Sequence, residues 1–302
     1  MKQRKAQKST RGTNKRSVST IVLTAVFLLG IAILLYPTVS NYINQINATR
    51  AIINYDDTVE RLTEAQKKEM LAAANEYNAS LLAHPKPLVT GEPEDETYKS
   101  LLSVTDDGIM GHVAIKKIDV QLPIYHGSDD KVLATGVGHL EGSSLPVGGM
   151  GTHAVITGHR GLPAAKLFTD LDQMEVGDTF TVTVLGKTLT YQVDQIKIVL
   201  PEKTEDLVID PERDYCTLLT CTPYSVNTHR LLVRGVHVDT PADVYVAPDA
   251  KRIDPVLVAP LVAAPVLLIL LFLLLRRGRP HKRQRNVVSR AESRDSLGKR
   301  GR

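Results

Sequence analysis

Cysteine is scarce: the 302-residue chain has two, Cys216 and Cys221. Five residues apart on an extended strand, they would be separated by about 16 Å with side chains on opposite faces, too far for a disulfide. Both are expected to be free thiols, which excludes a disulfide-stapled scaffold. The short paired spacings of a zinc site, Cys-x-x-Cys or His-x-x-x-His, are missing as well, which disfavours a metal centre built from His139, His153, His159 and Cys221. Gly136-Val137-Gly138 and Gly148-Gly149 lack the helix start and the Lys-Ser/Thr of a phosphate loop and read as turns. No cofactor is implied. There is no internal repeat and no long low-complexity segment, and a hydrophobic content of 43% excludes wholesale disorder.

Acidic residues are also unevenly withheld. Residues 1–17 carry seven basic side chains and no acid, and residues 276–302 carry eleven basic ones against Glu292 and Asp295. What remains holds 19 basic and 31 acidic side chains. A nucleic-acid-binding surface needs its basic residues on the folded part, so no nucleic acid partner is expected. Each basic tail abuts an uncharged apolar run, Val18–Tyr36 and Val256–Leu275. About 20 residues at 1.5 Å each cover a hydrocarbon core of about 30 Å, so both are long enough to span. Lys and Arg stay on the cytoplasmic side, which places both termini inside and the acidic middle outside. The first run exceeds the length of a signal-peptide core and no small-x-small cleavage site follows Tyr36-Pro37-Thr38, so it reads as an uncleaved anchor. The second could be the sorting tail of a wall-anchored protein, but no Leu-Pro-x-Thr-Gly-like signal precedes it. The nearest approach, Leu145-Pro146-Val147-Gly148-Gly149, lies over a hundred residues upstream.

Between the runs, apolar spacing of three and four predicts helix over residues 38–83. A break falls near residue 62, and Thr63 with Gln66 forms a capping box for a second helix over 64–83. His84-Pro85-Lys86-Pro87 ends it. From Gly111 the pattern becomes short alternating runs: His112–Ile118, Gln121–Tyr125, His153–Thr157, Thr179–Leu185, Thr188–Val199, Tyr215–Thr222 and Arg230–Val238. Gly186-Lys187 is expected as a tight hairpin turn, and a short helix near Ala164–Leu171 interrupts the strands. Many short strands at this spacing predict a mainly β fold, a small closed or nearly closed barrel.

The chemistry gathers at strand ends. Cys216, between Tyr215 and Thr217, reads as a buried small hydrophobe. Cys221 ends an apolar run and precedes Thr222-Pro223, which must leave the ladder, so it is held by a sheet yet open to a cleft. A thiol near neutral pH needs an imidazole or guanidinium to become a nucleophile. His159 ends another predicted strand. Arg230 begins the strand after the Cys221 loop and returns to the same end if those strands are antiparallel neighbours. Arg234 shares its face but lies about 13 Å farther along and reads as a strand-face charge. His139 and His153 read as hydrogen-bonded structural histidines that could also line the cleft.

Three segments, Thr217-Leu218-Leu219-Thr220-Cys221, Thr157-Gly158-His159-Arg160-Gly161 and Asn227–Gly235, resemble the motifs of sortases, the Cys transpeptidases of Gram-positive surfaces. The similarity spans about residues 108–240, and the two-anchor layout resembles class C, the pilin-polymerising sortases. The resemblance implies an eight-stranded sortase-type β-barrel with N-terminal helices and two flanking transmembrane helices. It implies catalytic roles for His159, Cys221 and Arg230. It also implies cleavage of a Leu-Pro-x-Thr-Gly-like signal through a thioacyl enzyme that a pilin Lys amine resolves. The implied partners are pilins or surface proteins bearing a C-terminal sorting signal. A cell-wall precursor amine as acceptor, and a non-catalytic surface protein, stay open as alternatives. The expected organisation is a cytoplasmic tail (1–17), a span (18–36), membrane-proximal helices with a candidate lid (37–107) and the catalytic barrel (108–240). A linker (241–255), a second span (256–275) and a second cytoplasmic tail (276–302) complete it. One departure is plain: residues 84–107 contain no Asp-Pro-aromatic triplet of the kind that many class C lids carry.

Overall fold

A computed structural model describes residues 15–93 and 95–239, together with Leu268. The chain divides into two units, 1–251 and 252–302, and Leu268 alone is described in the second. The expected linker 241–255, the tail 276–302, the second span apart from Leu268 and most of the first tail therefore lie outside the described residues.

The first apolar run belongs to one helix, α1 (Lys15–Arg61), which continues through Pro37. Val22, Leu23, Val26, Leu29, Ile33 and Leu34 are exposed on it. Exposure on all sides suits an anchor immersed in lipid and no protein core. Among the described residues, α1 is the one helix long and apolar enough to cross a membrane. Farther along, the same helix changes partners: Ala48, Ile52, Tyr55 and Val59 recur at three- and four-residue steps and are buried. The Tyr55 hydroxyl donates to the Met110 carbonyl and accepts from the Leu185 amide, each at 2.9 Å, and burial pushes its pKa up to about 12. α2 (Glu64–Ala83) opens on the expected capping box, Thr63 Oγ1 accepting from Gln66 N at 3.3 Å and Gln66 Oε1 from Thr63 N at 2.9 Å. Asn78 fastens α2 to the barrel by bonding both the amide and the carbonyl of Leu145.

The barrel has eight strands: β1 (Ile109–Ile115), β2 (Val120–His126), β3 (Val137–His139), β4 (Thr152–Thr157), β5 (Thr179–Val184), β6 (Lys187–Val199), β7 (Asp214–Thr222) and β8 (His229–Val238). Their order around the closed sheet is β1-β2-β3-β4-β7-β8-β6-β5. Only β2 with β3 and β4 with β7 run parallel. Alternation along β7 sorts its side chains: Cys216 and Leu218 join the main core with Ile156, Phe180, Tyr191 and Val233. Leu219 faces the other way, into a second apolar cluster with Leu140, Val155, Leu207 and Leu232.

Several local expectations are corrected. Residues 164–170 form turns and no α-helix, one 3-10 turn following at Leu171–Gln173: Leu167 has φ 40°, and α1 reaches over to satisfy the loop's backbone. Asn41 Oδ1 accepts from Lys166 N at 2.7 Å, and Asn44 Nδ2 donates to the Ala164 carbonyl at 2.9 Å. The β5–β6 turn is Leu185-Gly186, one residue earlier than expected, with φ of 49° and 78°, as a two-residue turn matching strand twist requires. Strand β3 and two short helices, α3 (Glu96–Ser100) and α4 (Asp130–Thr135), were not anticipated.

Gly138 marks where β3 is pressed against the chain leaving β2: a Cβ there would sit 2.0 Å from the Gly127 carbonyl oxygen. Backbone cannot step aside as a flexible side chain can. Gly138→Ala is therefore expected to lower the thermal midpoint by about 5–10 °C. Circular dichroism melting of the full chain in detergent checks this, and an unchanged midpoint would show that the strand relaxes.

Candidate active site

Three neighbouring strands end at the same rim. In the antiparallel β7–β8 ladder, Cys221 stands directly opposite Arg230. In the parallel β4–β7 pair the register runs through Thr157 opposite Leu219, and it continues past the strand where Gly158 N donates to the Leu219 carbonyl at 3.0 Å. Thr220 Oγ1 donates back to the Gly158 carbonyl at 2.7 Å. His159 is thereby carried to the level of Cys221. Strands lie about 4.8 Å apart, so the backbones bearing His159, Cys221 and Arg230 stand in a row about 10 Å wide.

The row is braced from both sides. Arg160 spans from the His159 loop to the cysteine strand, its Nη1 donating to Thr222 Oγ1 at 3.1 Å while Nη2 pairs with Asp172. The Phe168 amide bonds the His159 carbonyl at 3.1 Å. Arg230 Nη1 donates to the carbonyls of Asn227 and His229, each at 3.2 Å, and the guanidinium has further donors beyond these two bonds. Cys221 is half-buried, whereas Cys216 is fully buried in the core and burial drives its thiol pKa well up. Burial lowers the His159 pKa, with Asp130 opposing the shift, so its imidazole is mostly neutral at pH 7.

The other flagged residues go elsewhere. Arg234 stands opposite Thr217, paired with Asp194 at 2.7 and 3.1 Å and stacked 4.2 Å over the Tyr215 ring. His153 bonds the Val208 carbonyl and Thr217 Oγ1. His139 is wholly buried, with Tyr98 Oη on Nδ1 at 2.9 Å and the Ser144 carbonyl on Nε2 at 2.8 Å, and burial lowers its pKa to about 4. Between its ordinary 6.5 and about 4, the unfolded ring binds more protons than the buried one, so this group makes stability rise with pH across that window. Acidifying from about pH 7 to 4 should depress the melting midpoint of the natural chain more steeply than that of His139→Gln. Parallel curves in scanning calorimetry would remove His139 from the account.

Sequence reasoning missed two segments beside the row. Leu219 is two residues before Cys221 and Leu232 two after Arg230, so the second apolar cluster forms a strip on the same face. Leu207 bounds it from the β6–β7 loop, and Leu88 packs on it from the stretch after α2. That stretch is tied down where Val89 N donates to the Glu141 carbonyl at 2.9 Å and Asp95 N to Glu141 Oε1 at 3.1 Å. The only advance sign was an isolated Leu88-Val89 pair in a Pro-rich segment.

A closed eight-stranded barrel with such a rim is the architecture of a known group of proteins, and the comparisons agree. A sortase domain model matches residues 113–238. The chain is 30% identical over 130 residues to sortase A of Streptococcus agalactiae serotype III (strain NEM316), covering 42% of this chain and 52% of that protein. It is 31% identical over 115 residues to sortase D of Bacillus subtilis (strain 168), covering 38% and 55%. The chain thus spans about half the length of these curated relatives. Solved structures match more fully: sortase C1 of S. agalactiae at 48% identity and TM-score 0.60, covering 64% of this chain and 100% of that one. Sortase C of Streptococcus pneumoniae, described in connection with catalysis and pilin substrate specificity, matches at 42% identity and TM-score 0.59, covering 65% and 100%. The chain belongs to the sortase family. Its solved neighbours at 42–48% identity are sortases C, which places it in class C.

Proposed function

We propose that this chain is a membrane-anchored extracellular cysteine transpeptidase that cleaves a Leu-Pro-x-Thr-Gly-like signal and joins the new Thr carboxyl end to a pilin Lys amine. The carrying observation is the row of strand ends that sets Cys221 opposite Arg230 with His159 on the next strand. Cys221 sulfur attacks the Thr carbonyl carbon while neutral His159 takes the thiol proton. The Thr–Gly C–N bond then breaks, the imidazolium giving its proton to the departing amine. Arg230, always charged, supplies donors to the oxygen that becomes negative. In the second half-reaction the Lys amine attacks the thioester, His159 removes its proton, and the thiol returns. The apolar strip behind Cys221 suits the Leu-Pro end of the signal.

The anchor supports the same reading. The bonds from Asn41 and Asn44 hold the loop after His159 only five to eight residues beyond Tyr36, about 7–12 Å along the helix. The rim therefore stands near the lipid surface, where a signal preceding a membrane-retained tail would be presented. Basic tails at 1–17 and 276–302 inside, and a second span at 256–275, complete this proposal.

The test uses the full chain in detergent micelles with a Leu-Pro-x-Thr-Gly peptide. Intact mass should show a thioester on Cys221, and adding a Lys-bearing pilin peptide should convert it to an amide-linked product. Transfer to a lipid-linked wall-precursor amine in preference would reassign the acceptor, and no adduct would overturn the reaction class.

A further inference from the structure

The loop joining β6 to β7, residues 200–213, borders the apolar strip, and one buried side chain holds it there. His153 on β4 is 1% exposed. Its Nδ1 lies 3.0 Å from the Val208 carbonyl, which can only accept, so Nδ1 carries the hydrogen. Nε2 lies 2.7 Å from Thr217 Oγ1, and in the neutral ring it accepts from that hydroxyl. Burial lowers the ring's pKa, the Val208 hydrogen bond and Asp194 opposing and Arg234 adding to the shift, which favours the neutral ring. The imidazole is fixed from behind as well: Tyr215 packs 5.5 Å from it, under Arg234. The hydrogen bond falls one residue after Leu207, the loop side chain buried in the strip, while the Val208 side chain itself is exposed.

Building on the transpeptidase reading, we propose that His153 is a positioning residue for substrate selection. By joining Val208 to β7 through Thr217, it holds Leu207 down on the strip beside Cys221 and so fixes the fit of the signal's apolar first residue. The sulfur chemistry, at the other end of the strip, does not depend on it.

The experiment measures thioester formation by the full chain in micelles with two peptides, one beginning Leu-Pro and one Ala-Pro. In His153→Phe, which keeps a ring but loses both bonds, KM for the Leu peptide should rise about tenfold while kcat stays within about twofold. The preference for Leu over Ala should fall about tenfold. His153→Asn, whose amide N–H can reach the same carbonyl, should restore most of both. If His153→Phe fails to fold, Thr217→Val, which removes the Nε2 partner at nearly constant shape, should shift KM and preference the same way by about threefold. A loss in kcat with KM and preference intact would make His153 a fold residue and overturn the proposal, as would an unchanged preference in Thr217→Val. Failure of the natural chain to acylate on either peptide would instead overturn the transpeptidase reading beneath it.

Discussion

The 302-residue chain carrying Cys221→Ala is expected to form no thioester with a signal peptide and no joined product, a loss of about 10⁴-fold or more. Alanine removes the only proposed nucleophile, and no other thiol reaches the rim: Cys216 points into the barrel core from the opposite face of β7. The paired control is Cys216→Ala, which deletes one buried atom and should cost about 1 kcal/mol of stability while leaving acylation nearly intact. Intact mass after incubation with peptide reads both proteins in one experiment. Adduct on Cys221→Ala, or its loss from a folded Cys216→Ala, would reject the assignment.

The second large effect is expected at Arg230. Arg230→Ala should lower the single-turnover rate of acylation by about 10²–10³-fold, the range seen when a donor to a developing oxyanion is removed. Arg230→Lys should recover only part of this, because a compact ammonium cannot reproduce a planar fork already seated against the carbonyls of Asn227 and His229. Arg234→Ala serves as the comparison. Its guanidinium is occupied by Asp194 and Tyr215 four residues away, so its loss should change the rate by less than about threefold. Rapid-quench mass spectrometry gives each rate, and an Arg230→Ala rate within about threefold of the natural chain would exclude oxyanion stabilisation by this residue.

What could be read from the residues was what depends on neighbours in sequence. Period-two alternation separated Cys216 from Cys221 onto different faces of one strand. Thr63 and Gln66 announced their helix, because both ends of that capping interaction lie within four residues. The apolar run at 18–36 was visible from composition, although nothing in it showed that its helix would run on to Arg61 and bury Tyr55 in the barrel. Strand β3, three residues long, exists because β2 and β4 lie beside it, and no local pattern encodes that. Residues 164–171 have a helix-like composition, but Asn41 and Asn44, over a hundred positions away, bind their backbone in another shape. The same limit applies at the rim. The antiparallel return of Arg230 follows from a short loop, whereas the parallel β4–β7 contact that brings His159 alongside joins segments about sixty residues apart.

Because α1 passes without a loop from its exposed apolar part to the residues that pack on the barrel, continuous helix and no slack leash joins the two. With residues 18–36 in the membrane as proposed, the reactive edge would sweep a thin layer parallel to the bilayer, and encounters with membrane-held partners would become lateral collisions. Under the proposed anchoring, turnover would follow surface density and lateral diffusion, and a partner released into bulk solution would escape simply by leaving the plane.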